Sequence, residues 1–96
     1  MKHCIIVKYN ETVSPELKQA LIPEIQALFD NTVSIEGIHK VTLKPNVINR
    51  ANRYDLIIEI EMNPSALPFY DDCEWHHIWK NDYSKYLASK AIIDID

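Results

Sequence analysis

A ferredoxin-like α+β domain is what this sequence predicts, and three observations carry the prediction. The chain has 96 residues, enough for one domain and not for two. Its segments read in the order strand, helix, strand, strand, helix, strand, the split βαβ arrangement. Each strand segment also has one mainly apolar face, which the helices would cover. A chain of this length buries roughly 60–65% of the surface its unfolded form exposes. An apolar content of 47% is sufficient for one core, so residues 1–96 are read as a single domain.

The first strand is placed at about residues 2–9. His3, Ile5, Val7 and Tyr9 alternate onto one face, and Cys4, Ile6 and Lys8 onto the other. Ser14-Pro15-Glu16 then starts a helix: Ser caps, Pro occupies the first turn and Glu favours the dipole. Leu17, Leu21, Ile25, Leu28 and Phe29 follow on one helical face, giving a helix over about 15–30. Pro23 conflicts with it, since an internal proline costs about 3 kcal/mol, and a kink or break is expected near residue 22. Asn31 to Gly37 is the exit loop.

Ile38 to Lys44 is the second strand, with Val41 and Leu43 on the face of His39, and Lys40, Thr42 and Lys44 opposite. Pro45 to Arg53 is polar, rich in asparagine and read as a loop. Tyr54 to Met62 is the third strand: Tyr54, Leu56, Ile58, Ile60 and Met62 share one face, and Asp55, Ile57, Glu59 and Glu61 the other. Asn63-Pro64-Ser65 opens a short helix over about 64–71, whose regularity Pro68 limits. Trp75, Trp79, Tyr83 and Leu87, at steps of four with Ile78 and Tyr86 beside them, predict a longer helix over about 75–89. Ala91 to Asp96 closes the sheet. The second sheet face is mixed (Cys4, Ile6, Lys8, Lys40, Thr42, Lys44, Asp55, Ile57 and Glu59). It meets either water or a second copy, with Lys8 and Glu59 as an ion pair in the second case.

Composition excludes several functions. The net charge of −4 offers no basic surplus for phosphates, so no nucleic-acid partner is expected. A single glycine, Gly37, rules out a Walker A loop and a GxGxxG turn, both of which need several glycines. The N-terminal apolar run Ile5-Ile6-Val7 is far shorter than the about 7–15 residues of a signal peptide or the about 20 of a membrane span. No membrane partner and a cytoplasmic location are therefore expected, with Cys4 and Cys73 as reduced thiols.

The stretch Asp71, Asp72, Cys73, Glu74, His76, His77 is dense in metal-ligand types. A structural zinc site needs four ligands, however, and no second Cys/His pair follows, so no metal is assigned and the cluster reads as a solvated helix end. Cys73 as a nucleophile would have His76 or His77 as base, but no oxyanion donor is visible. The Trp75, Trp79, Tyr83 and Tyr86 stripe reads as core packing or pocket wall. Arg50 and Arg53 either face solvent or grip an acidic ligand at a pocket mouth.

Taken in order, Lys2-His3, Val13-Ser14-Pro15-Glu16, Ile35-Glu36-Gly37-Ile38, Tyr54-Asp55-Leu56, Ala66 to Tyr70, His76 and a C-terminal Ile-Ile-Asp strand resemble the stress-responsive dimeric A/B barrel (Dabb) family over nearly the whole chain. The resemblance implies a homodimer packed sheet against sheet, with a pocket in each protomer between sheet and helices. It also implies a catalytic pair, His76 as general base and Tyr70 as its partner, with His3 as an orienting group. Ile5, Val7, Leu56, Ile58 and Ile60 would line the cavity. The sequence departs from the family in two places. Cys73-Glu74-Trp75-His76 stands where His-Pro-x-His is usual, and Leu56 replaces a polar residue. Three functions follow from the resemblance. The first is a cyclase or lyase acting on polyketide-like or other apolar carbonyl substrates. The second is a non-catalytic stress-responsive binding or interaction protein, with Tyr70 as core and His76 as a capping or packing residue. The third is a cofactor-free monooxygenase-like activity. No cofactor is implied by any of them, and the residues leave open whether the chain is an enzyme.

Overall fold

A computed structural model describes residues 1–96. Strand β1 (Lys2–Tyr9) leads to helix α1 (Pro15–Asp30), strands β2 (Ile38–Pro45) and β3 (Leu56–Met62), helices α2 (Leu67–Asp71) and α3 (Glu74–Asp82), and strand β4 (Leu87–Ile95). The sheet runs β2–β3–β1–β4 and is antiparallel throughout. This is the ferredoxin-like α+β fold. No helix is long and apolar enough to cross a membrane.

β1 is flanked on both sides, so its phase sets the phase of the sheet. Ile5 pairs with Ile58 on one side and Ile92 on the other. Ile5, Val7, Ile58 and Ile60 are wholly buried beneath Leu21, Ile25 and Phe29 of α1, which forms the main wall of the core. The opposite face carries an ion cluster that spans three strands. Glu59 on β3 meets Lys44 of β2 at 3.1 Å and Lys2 of β1 at 3.4 Å. The hydrogen bond from Lys44, seconded by Lys2, holds its carboxyl below the usual carboxylate range. Within one chain Lys8 makes no ion pair with Glu59. Its ammonium donates instead to the carbonyls of Arg53 and Ala51.

α1 starts as its sequence dictates, Ser14 Oγ accepting from the Leu17 N–H at 3.1 Å. It is unbroken at Pro23, contrary to the expected break. Pro23 and Gln19 both lie on the exposed face, so the Gln19 carbonyl that loses its donor is solvated. Pro68 sits in the first turn of α2, where no N–H is needed. In β2 a bulge at His39 breaks the alternation: Ile38 pairs with Met62, but Lys40 pairs with Glu61. Ile38 and Val41 therefore both reach the core and His39 is left exposed. β3 begins at Leu56, two residues later than expected, and Tyr54 is exposed. Asp55 does not join the open sheet face. Its carboxylate accepts from the Tyr9 N–H at 2.8 Å and from Lys18 of α1 at 3.0 Å.

The largest departure is the last helix, which ends at Asp82 instead of running to 89. Steps of four residues rotate by roughly 40° each around an α-helix, so four aromatic and aliphatic side chains at such steps do not hold one face. The run Asn81-Asp82-Tyr83-Ser84 favours a stop, and Leu87, the last of the series, already belongs to β4. Gly37 turns the chain into β2 at φ +93°, where an added Cβ would lie 3.2 Å from that of Ala66. Gly37→Ala is expected to cost about 1–2 kcal/mol from backbone strain alone. The check is a midpoint lowered by roughly 4–8 °C per kcal/mol in thermal unfolding.

Candidate functional site

Tyr70 lies at the end of α2 and His76 in the first turn of α3. Residues six apart cannot share a helical face, but the chain leaves helix at Asp72 and Cys73 and brings the two rings together. Their centroids are 4.8 Å apart. Tyr70 also meets His3 of β1 edge-on at 5.2 Å. The three polar residues singled out in the sequence therefore form one cluster where β1 passes beneath the α2–α3 junction.

The hydrogen bonds fix what each ring can do. His76 Nδ1 lies 2.8 Å from the Asp71 carbonyl. A carbonyl only accepts, so Nδ1 carries the proton and Nε2 keeps its lone pair. Partial burial lowers the His76 pKa below the ordinary 6.5, and the backbone bond to Asp71 only partly opposes this. The imidazole is therefore neutral and basic at neutral pH. Tyr70 is fully buried, its hydroxyl has no partner, and burial drives its pKa far above the usual 10, so it remains a proton donor. His3 Nδ1 lies 2.6 Å from Asp94 Oδ1. A carboxylate accepts, so His3 Nδ1 carries the proton and the contact fixes the orientation of the ring. Asp94 was not picked out from the sequence. Once β4 pairs with β1 its register places Asp94 directly beside His3, and only that pairing reveals it.

Cys73 is the N-cap of α3, its Sγ accepting from the His76 N–H at 3.4 Å. The thiol thus does locally what Ser or Asp does at most helix starts, and it fixes the backbone at His76. No three His, Cys, Asp or Glu side chains gather as metal ligands. In the acidic stretch, His77 lies 4.0 Å from Asp72. Trp79 is buried, packed edge-on to Phe29 and stacked on Tyr83, whose hydroxyl donates to Glu24 at 2.7 Å.

Ile5, Val7, Leu56, Ile58 and Ile60 are all buried between sheet and helices. Of them only Leu56 borders any of the five principal concavities, and none of these is lined by His3, Tyr70 or His76. The cluster is packed by its neighbours and meets solvent through the half-buried ring of His76.

Fold and cluster together define a small ferredoxin-like α+β protein with a Tyr/His/His group beneath its α2–α3 junction. Among solved structures the chain is similar to a dimeric ferredoxin-like protein of unknown function from Bacteroides fragilis, with a TM-score of 0.78 and 20% identity over 99% of this chain and 93% of that one. It is similar to a Dabb family protein with a ferredoxin-like fold from Mesorhizobium loti, with a TM-score of 0.65 and 12% identity over 99% and 93% of the two chains. It is also similar to the hydroxynitrile lyase of Passiflora edulis, with a TM-score of 0.69 and 11% identity over 96% and 87%. At these identities the likeness is one of fold. No family model and no curated protein matches the chain.

Because folding lowers the His76 pKa, the unfolded chain binds its proton more readily. The contribution of His76 to stability is fully present above the unfolded pKa of about 6.5 and is lost as pH falls through the lower folded value. Urea unfolding of the wild type and His76→Gln is expected to show a stability difference that shifts in favour of the variant between pH 7.5 and pH 5. A difference independent of pH would contradict a buried neutral imidazole.

Proposed function

We propose that this chain is a homodimeric protein of the Dabb type, in which His76 and Tyr70 carry out proton transfer on a small apolar carbonyl compound, as a cyclase or lyase. The observation that carries the catalytic reading is the tautomer of His76. With Nδ1 committed to the Asp71 carbonyl, Nε2 is a free base at neutral pH, beside a phenol that has a proton to give and no acceptor. In the cyclase direction, Nε2 takes a proton from a carbon next to a carbonyl. The Tyr70 hydroxyl stabilises the enolate oxygen, and the enolate carbon bonds to a second carbonyl carbon. The alkoxide so formed recovers the proton from the imidazolium, leaving the protein unchanged. The lyase among the similar folds supports this class of chemistry.

The dimeric part rests on the open face of the sheet. Ile6, Ile57, Ala91, Ile93 and Ile95 lie there among the charges of the Glu59 cluster, with Ile93 52% and Ile95 45% exposed. A single helical layer leaves this face uncovered, and a second copy turned face to face would bury it. The structure from Bacteroides fragilis is that of a dimeric protein. Light scattering is expected to give twice the chain mass of 11.2 kDa, and Ile93→Glu to give a monomer.

A second reading, a binding or interaction protein without turnover, is favoured by the full burial of Tyr70. Incubation with a panel of linear polyketide-like carbonyl compounds separates the two. Catalysis predicts a product whose formation falls about 100- to 10,000-fold in His76→Ala and about 100- to 1,000-fold in Tyr70→Phe, with both variants folded. Saturable thermal stabilisation without product would establish the second reading.

A further inference from the structure

The other end of β1 carries a different feature. Lys8 and Tyr9, the β2–β3 loop (residues 46–55) and the start of α1 border an open concavity of about 750 Å³, a size suited to a small-molecule ligand. Its loop wall is built, not loose. The Lys8 ammonium donates to the carbonyls of Arg53 at 2.8 Å and Ala51 at 3.4 Å, and the Asn46 N–H to the carbonyl of Asp55 at 2.8 Å. The loop is ten residues long, above the usual length of about four to six.

Charge is locally reversed here. In a chain of net charge −4, the concavity is lined by Lys8, Lys18, Arg50 and Arg53 against only Glu11 and Asp55. Asp55 is already occupied by Lys18 and the Tyr9 N–H. Neither arginine takes part in any of the ion pairs of the chain. The second observation is Tyr9. It is 7% exposed, it lines this concavity, and its hydroxyl has no partner in the protein. Buried polar groups are nearly always satisfied, so this shielded hydroxyl beside the concavity lacks the acceptor such a group ordinarily has. Burial, and then the Asp55 charge, push the Tyr9 pKa up to about 12, so the hydroxyl keeps its proton.

We infer that this concavity binds a small molecule carrying a carboxylate or phosphate, its anionic end held between Arg50 and Arg53 and met by the Tyr9 hydroxyl. Guanidinium groups pair with planar or tetrahedral oxyanions through paired N–H donors, and one neutral O–H adds direction. Tyr9 and His3 lie six residues apart on one strand, about 20 Å, so this site is separate from the Tyr70–His76 cluster and stands whether or not that cluster is catalytic.

The test is a titration of the ¹⁵N-labelled protein with inorganic phosphate and, separately, with benzoate, at constant ionic strength against sodium chloride. Saturable shifts confined to the amides around Tyr9 and Arg50–Arg53 are expected with one of the two, and which one saturates tells a phosphate ligand from a carboxylate. Arg50→Gln combined with Arg53→Gln is expected to weaken that binding at least tenfold and Tyr9→Phe several-fold, while His76→Ala leaves it unchanged. Each variant's remaining spectrum reports that it is folded. Three results would each overturn the inference: saturation with neither anion, equal shifts with chloride, or undiminished binding in the double arginine variant.

Discussion

The register of β1 between its two neighbours is the constraint on which the rest of the molecule depends. Side chains alternate strictly along a strand, so a slip of one residue against β3 or β4 would turn His3, Ile5, Val7 and Tyr9 out of the core together. In the observed register, Ile5 and Val7 meet α1, His3 meets Tyr70 and Asp94, and Tyr9 borders the cationic concavity. One eight-residue strand thus supplies the core with its centre and each of the two candidate sites with a polar group.

That arrangement explains how much was legible in the sequence. The bounds of β1 and α1 follow from a loose alternation, a Ser-Pro-Glu start and an apolar helical face, and the structure repeats them residue for residue. Pro23 misled because its cost depends on where the freed carbonyl points, and the residue pattern alone did not weigh a solvated Gln19. The bulge at His39 and the late start of β3 were hidden for a different reason. Alternation within one segment does not reveal an extra residue, which becomes visible only against the partner strand. The last helix was overextended because aromatic side chains at steps of four imitate a helical face for two turns and then drift from it.

For the candidate site, the residue types were readable and their partners were not. The resemblance singled out Tyr70 and His76 and the strand pattern His3, while the gap in the helix at Asp72 and Cys73 is what lets the first two rings meet. The Asp94 carboxylate and the capping role of the Cys73 thiol arise from pairing and helix geometry, which no local pattern encodes. The unpartnered hydroxyls of Tyr9 and Tyr70 belong to the same category, since an orphan donor exists only relative to everything packed around it.

β4 ends the sheet, so one row of its backbone N–H and C=O groups has no strand alongside. Such an edge, carrying Ile92, Ile93 and Ile95 more than 40% exposed, is a template on which further chains can stack. Parallel in-register stacking, one arrangement of fibrils, would set Lys90 against Lys90 and Asp94 against Asp94 in every layer, and like charges placed directly opposite disfavour it. The carboxylate that orients His3 is thereby also a guard against fibril growth along the one strand edge richest in isoleucine.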